Sequence, residues 1–164
     1  MKKLLSIFIL LIILSGCKAW VVKTTPEKQI VNNDNYSIQL IPVDPRPRFF
    51  TAFNLTIDNK TDSDIELIWD KTNFIYNGQT NGGFMFEGIV FKDRNNPKQP
   101  DVIFARNRFQ KTIWPNNLVR FDTTIGWYQA GMDMGDNGIY LTLKVNGKEV
   151  KEKLIINMSK ENLK

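Results

Sequence analysis

The run Ile139-Tyr140-Leu141-Thr142-Leu143-Lys144-Val145-Asn146-Gly147-Lys148-Glu149-Val150 decides the fold class. Apolar side chains at 139, 141, 143 and 145 alternate with others, the period of a strand with one buried face. Asn146-Gly147 is the residue pair that suits a type I′ turn, whose two central residues need positive φ. Val150, Leu154 and Ile156 then return along a second strand. A terminal β-hairpin is therefore predicted, and it sets the pattern to look for upstream.

The pattern recurs. Phe53, Leu55 and Ile57 alternate with Asn54, Thr56 and Asp58. A polar turn over 59–64 follows, and Ile65, Leu67 and Trp69 resume the alternation. Further apolar runs at 74–76 and 84–91 are bounded by glycines and polar turns. The segments 111–114 and 118–122 are split by Pro115-Asn116-Asn117, which supplies a turn. Helical periodicity of useful length is missing. Short strands punctuated by Asn, Gly and Pro predict an all-β protein, an antiparallel sandwich of about seven to nine strands, with a small barrel as the alternative that periodicity cannot separate. The strand, polar turn and strand from Asn54 to Trp69 resembles small immunoglobulin-like modules of bacterial envelope lipoproteins, and that resemblance implies fold class only.

The first 17 residues follow a different logic. Lys2 and Lys3 precede a run from Leu4 to Leu14 that is apolar apart from Ser6, and Leu14-Ser15-Gly16-Cys17 closes it. Small residues before the cysteine let a peptidase bind the chain extended. An 11-residue helix would span roughly 16 Å, against roughly 30 Å of hydrocarbon, too short to cross a bilayer. This segment resembles the type II signal peptide of bacterial lipoproteins. The resemblance implies cleavage before Cys17, acylation of its thiol and usually of its new amino group, and a lipid bilayer as a partner. Two or three acyl chains, at roughly 0.8 kcal/mol per buried CH₂, hold a domain to a membrane essentially permanently. In that family an aspartate after the cysteine tends to retain the protein at the inner membrane. Lys18 is not aspartate, so in a host with two membranes the outer one is expected, facing the periplasm. In a host with one membrane, the outer leaflet is expected.

The chain thus divides into a cleaved leader over 1–16, a lipidated tether over 17–35 with Pro26 and the polar run Asn32-Asn33-Asp34-Asn35, a sandwich over 36–158, and a short polar tail over 159–164. Trp20-Val21-Val22 is apolar enough to lie at a lipid interface or to add a strand. Two of the 22 basic residues and none of the 17 acidic ones fall in the leader, leaving 20 against 17, a net +3. Mixed signs at that level favour solubility and do not argue for nucleic acid. Arg106-Asn107-Arg108-Phe109 with Lys111 is the one basic and aromatic cluster, and it reads as a solvated strand or turn edge.

The chemistry available is narrowed by the absence of histidine, which removes the usual general base and the commonest zinc ligand. The lone cysteine is assigned to lipid, so disulfides play no part. Glu87, Asp93 and Asp101 could supply a carboxylate pair for glycan hydrolysis, although two acids near each other in sequence are common by chance. Asp133-Met134-Gly135-Asp136-Asn137-Gly138 has some letters of a calcium loop, but Gly135 occupies a ligand position. A tight Asp-Asn-Gly turn into the Ile139 strand accounts for the same letters. No metal and no cofactor are expected.

One segment invites a functional assignment. Thr123 to Gly138 is long for a connection between strands and holds Trp127, Tyr128, Met132 and Met134. Trp and Tyr often anchor partners, so these four residues are the candidate contact surface for another envelope protein; the opposing account has Trp127 capping the open end of the sandwich. The reading is a membrane-anchored, non-enzymatic envelope lipoprotein that binds or braces another component. The alternatives are a carboxylate-dependent glycan hydrolase and a surface-exclusion or phage-related lipoprotein. An exposed edge at the terminal hairpin is a further candidate for strand addition.

Overall fold

A computed structural model describes residues 20–43 and 48–163; the leader, Cys17 and the final residue lie outside the described residues. Fourteen strands follow in chain order: β1 Trp20–Thr25, β2 Gln29–Asn32, β3 Tyr36–Val43, β4 Ala52–Asn59, β5 Ile65–Leu67, β6 Asn73–Tyr76, β7 Gln79–Thr80, β8 Phe84–Phe86, β9 Asp101–Ile103, β10 Arg108–Pro115, β11 Val119–Asp122, β12 Gly126–Gln129, β13 Gly135–Val145 and β14 Lys148–Asn162. Every strand pair is antiparallel. A seven-stranded sheet runs β1-β14-β13-β5-β9, with β6 also on β13 and β7 on β6. A five-stranded sheet runs β2-β3-β4-β10-β8, and β11 and β12 form a separate ribbon. The sheets are open rather than closed into a barrel, so the all-β sandwich is the architecture. Strands outnumber the seven to nine expected because β5, β7, β8 and β9 are pieces of two or three residues and β1 and β2 lie upstream of the expected sandwich.

Alternation builds the core. Tyr36, Ile38 and Leu40 of β3 and Phe53, Leu55 and Ile57 of β4 point inward, as do Ile139, Leu141, Leu143 and Val145 of β13 and Leu154, Ile156 and Met158 of β14. A slip of one residue in any of these would turn the apolar row to solvent, so the register is strongly specified. Asn146 and Gly147 have φ of 48° and 77°, as the hairpin turn requires. Trp69 leaves the expected strand for a 3-10 turn over Trp69–Lys71 and is buried there.

Buried polar groups tie the turns together. Asn59, at the end of β4, donates through Nδ2 to the carbonyls of Ser63, Ile103 and Phe104 at 2.8, 3.0 and 3.1 Å. Its Oδ1 accepts from the backbone N–H and the hydroxyl of Thr61 at 2.9 and 2.8 Å. One side chain thereby joins the β4–β5 turn to the β9–β10 turn. Tyr36, also buried, donates its hydroxyl to Glu152 at 2.6 Å.

Two boundaries differ from the sequence reading. Residues 20–32, expected within the tether, form β1 and β2, which extend the two sheets; Trp20 pairs with Asn162 and Thr25 with Asn157. The polar tail is correspondingly shorter, since β14 continues to Asn162. Edge strands are half-exposed on both faces, so their alternation is blurred in the sequence. The Asp-Asn-Gly turn before Ile139 is likewise replaced by strand. Asp136, Asn137 and Gly138 lie in β13 opposite Asn157, Ile156 and Ile155, and Asn137 Nδ2 donates to the carbonyls of Asp133 and Gly135. Gly138 is required because a Cβ there would overlap the Leu154 carbonyl oxygen of the paired strand.

The terminal hairpin offers only part of the free edge expected of it. β1 covers Asn157–Asn162 of β14. The remaining unpaired stretch carries Lys148, Glu149, Lys151, Glu152 and Lys153, and charge of this density protects an edge from strand addition.

Candidate functional site

The segment expected to be one long connection is a structured ribbon. Val119, Arg120, Phe121 and Asp122 of β11 pair with Gln129, Tyr128, Trp127 and Gly126 of β12. The Asp122 carboxylate closes the tip by accepting the backbone N–H groups of Thr124 and Ile125 at 2.8 and 3.1 Å. Those two hydrogen bonds, Thr124 first, hold the carboxyl below the usual aspartate range. Gly126 returns the chain with φ of 77°, a conformation that favours glycine.

A two-stranded ribbon is marginal by itself, so its base and one face need outside support. At the base, the Ala130 N–H donates to the Leu118 carbonyl at 2.9 Å. Gln129 Nε2 donates to the Thr51 carbonyl at 2.5 Å and the Met132 N–H to the Phe50 carbonyl at 2.7 Å. Gly131 lies so close to Phe49 that a Cβ would overlap its side chain.

The face is supported by rings. Trp127 stacks on Phe91 with centroids 3.5 Å apart and planes inclined by 31°, and meets Phe121 across the ribbon at 4.7 Å and 61°. The Arg94 guanidinium lies over the Phe91 ring at 3.9 Å. The result is a cluster of Arg94, Phe91, Trp127 and Phe121, shared between the ribbon and the loop that follows β8.

This cluster stays largely in solvent: Trp127 is 54 % exposed, Phe121 58 % and Ile125, at the tip, 69 %. Tyr128, next to Trp127, projects from the opposite face of the ribbon, opposite Arg120, and is also exposed. The four expected contact residues therefore part company. Trp127 and Tyr128 are at the surface. Met132 belongs to the core and Met134 packs against it, because the chain dives inward between β12 and β13. Phe121 and Ile125 take their place in the exposed group, with Phe91 and Arg94 half-buried beneath them. The apolar run 84–91 carried a signal for Phe91, but its pairing with a residue 36 positions later did not.

A cleft of about 440 Å³ lies alongside, lined by Phe86, Val90, Asp93, Lys98 and Asp101 among others. Two of the three carboxylates singled out in the sequence border it, and both are occupied. Asp101 accepts Trp69 Nε1 at 2.8 Å and pairs with Lys111, whose ammonium sits 4.1 Å from the Phe86 ring. Asp93 accepts Asn96 Nδ2 at 3.0 Å. Burial at the rim pushes the Lys98 ammonium below the ordinary lysine range, against the pull of Asp70. Glu87 lines a separate cleft with Gln110, Thr112 and Trp114. Among the described residues no group of three or more Cys, Asp or Glu side chains is placed to hold a metal ion. The basic cluster is paired with acids: Arg106 with Asp62, Arg108 with Asp58, Lys111 with Asp101.

The ribbon's base shares one end of the sandwich with the start of the described chain. Gly135 and Thr24 both pair with Met158, and β1 continues outward to Trp20 beyond the end of β13. The Arg48 guanidinium, next to the Phe49–Thr51 stretch that seats the ribbon, lies 5.9 Å from the Trp20 ring, and the Lys160 ammonium lies 4.7 Å from it. No helix among the described residues is long and apolar enough to cross a membrane. No protein-family profile and no curated protein matches the chain.

Proposed function

We propose that the protein is a membrane-anchored lipoprotein of the cell envelope, held by acyl chains on Cys17 and acting by contact rather than by turnover. The observation that carries the contact role is the solvent-facing pair Trp127 and Phe121, backed by Phe91, on a ribbon held by hydrogen bonds at its tip and its base. Exposed aromatic groups of this size on a preorganised support are suited to binding, since little conformational freedom is left to lose. Lipid attachment concentrates the domain in two dimensions, so a modest interface suffices. In a host with two membranes the outer one, on its periplasmic side, is the proposed location. The glycan-hydrolase alternative draws less support, because Asp101 is committed to Lys111 and Trp69.

Substitution Cys17→Ser tests the anchor: an unprocessed precursor without incorporated fatty acid is expected, and normal processing and membrane retention would refute the assignment. Co-purification from detergent tests the contact role. If Trp127→Ala with Tyr128→Ala leaves every captured neighbour in place while the fold is intact, the ribbon holds no protein neighbour.

A further inference from the structure

We infer that the β11–β12 ribbon is a second, non-covalent membrane contact, and that the surface it meets is the headgroup interface of the bilayer holding Cys17. The inference rests on the acylation proposed above and names the partner of the same site. Two residues, Lys18 and Ala19, lie between Cys17 and Trp20, and these three backbone steps limit the Cys17 Cα to within about 11 Å of the first residue of β1 at full extension. An acylated Cys17 therefore brings the Trp20 end of the sandwich down to the lipid surface. That end carries the base of the ribbon, linked to Trp20 through Arg48 and the Phe49–Thr51 stretch.

The side chains of the ribbon that rises from this end suit an interface. Phe121, Ile125 and Trp127 offer apolar surface, and Leu163, one residue beyond the Asn162 that pairs with Trp20, is also exposed. Arg48 and Lys160 flank the Trp20 ring, and Arg120 lies on the other face of the ribbon beside Tyr128; all three are exposed cations able to meet phosphates. Tryptophan and tyrosine place an apolar ring and a polar edge at the headgroup level, while arginine and lysine keep their charged heads in the phosphate layer. The other large exposed apolar residues, Ile30, Val90, Val102 and Phe104, are not grouped with cations around the entering chain. Shallow burial of such a ribbon, about 5–10 Å into the headgroup and acyl boundary, orients a domain without spanning the bilayer.

The test uses the full-length protein extracted in its processed form and reconstituted into phosphatidylethanolamine and phosphatidylglycerol vesicles, with and without bromine-labelled acyl chains. Trp127 is one of four tryptophans. Bromolipid should quench the wild type more than Trp127→Phe, the difference corresponding to most of one tryptophan's emission. Ile125→Asp, at an exposed tip position outside the core, should reduce the Trp127-specific quenching at least twofold while leaving circular dichroism unchanged. The mass of the N-terminal peptide reports acylation separately. Acylated protein whose Trp127 emission is untouched by bromolipid would overturn the ribbon contact while leaving the anchor standing. An unacylated N-terminus would overturn the anchor, and with it the premise that brings the ribbon to the membrane.

Discussion

Replacing Asn59 with alanine should cost the protein about 3 kcal/mol, a large share of the 5–15 kcal/mol that holds a typical domain folded. Asn59 makes five side-chain contacts, three from Nδ2 to carbonyls and two to Oδ1 from Thr61. The amide has only two N–H groups, so the three carbonyls share them and the set is equivalent to about four full bonds. Each is worth about 1 kcal/mol net. Alanine leaves the Asn59 backbone N–H on the Asn107 carbonyl, and water can reach Ser63 and Phe104 at the surface, which recovers part of the loss. The Ile103 carbonyl, on a buried residue, is the one left poorly served. Urea unfolding followed by far-UV circular dichroism reads the change as a lower midpoint at unchanged slope. At 2–4 °C per kcal/mol for a domain of this size, the melting temperature should drop by about 6–12 °C. Asn59→Asp sharpens the test, because it keeps the acceptor for Thr61 but turns a carboxylate toward three carbonyls. It should be less stable than the alanine variant at neutral pH. A loss below 1 kcal/mol for alanine, or an aspartate variant as stable as the wild type, would refute the view that this side chain joins the two turns.

Two other perturbations probe different terms. Burial first, and then the hydrogen bond to Glu152, push the Tyr36 hydroxyl up to about 12, above its ordinary value near 10. The neutral phenol is the form the fold favours, so its contribution is intact below pH 10 and is lost as pH rises toward 12. About 2–3 kcal/mol should disappear across that window relative to Tyr36→Phe, measured as the difference between their unfolding free energies at each pH; parallel curves would show that Tyr36 does not titrate as described. Gly138→Ala should prevent β13 and β14 from zipping past Leu154 and give a protein that is insoluble or melts at least 10 °C lower, checked by solubility and thermal scans. Near-normal melting would mean that the two strands separate there at little expense.

Strands that bury one whole face were legible in the sequence, because the apolar rows of β4 and β13 repeat with period two and end in a recognisable turn, and β14 returns from the second of these turns. Edge elements were not. In β1 and β2 both faces see solvent in part, and no row of purely apolar residues remains to mark them. Asp136-Asn137-Gly138 carries the letters of a turn, yet the glycine answers a different need, the close approach of a neighbouring backbone. The candidate site was half legible. Trp127 and Tyr128 announce themselves by residue type, but the depth of Met132 and the stacking of Phe91 on Trp127 depend on where distant segments meet, and local pattern holds no record of that.

Because Trp20 lies opposite Asn162, the entering and departing segments of the described chain share a pole. The Asn146-Gly147 turn follows Val145 at the other end of β13, and Val145 is ten residue steps from Gly135, or about 34 Å away at strand spacing. A fluorophore, epitope or fused reporter joined beyond Asn162 would therefore leave from the same pole at which Trp20 enters. The same cargo inserted between Asn146 and Gly147 would point the opposite way and report on the domain from its far end.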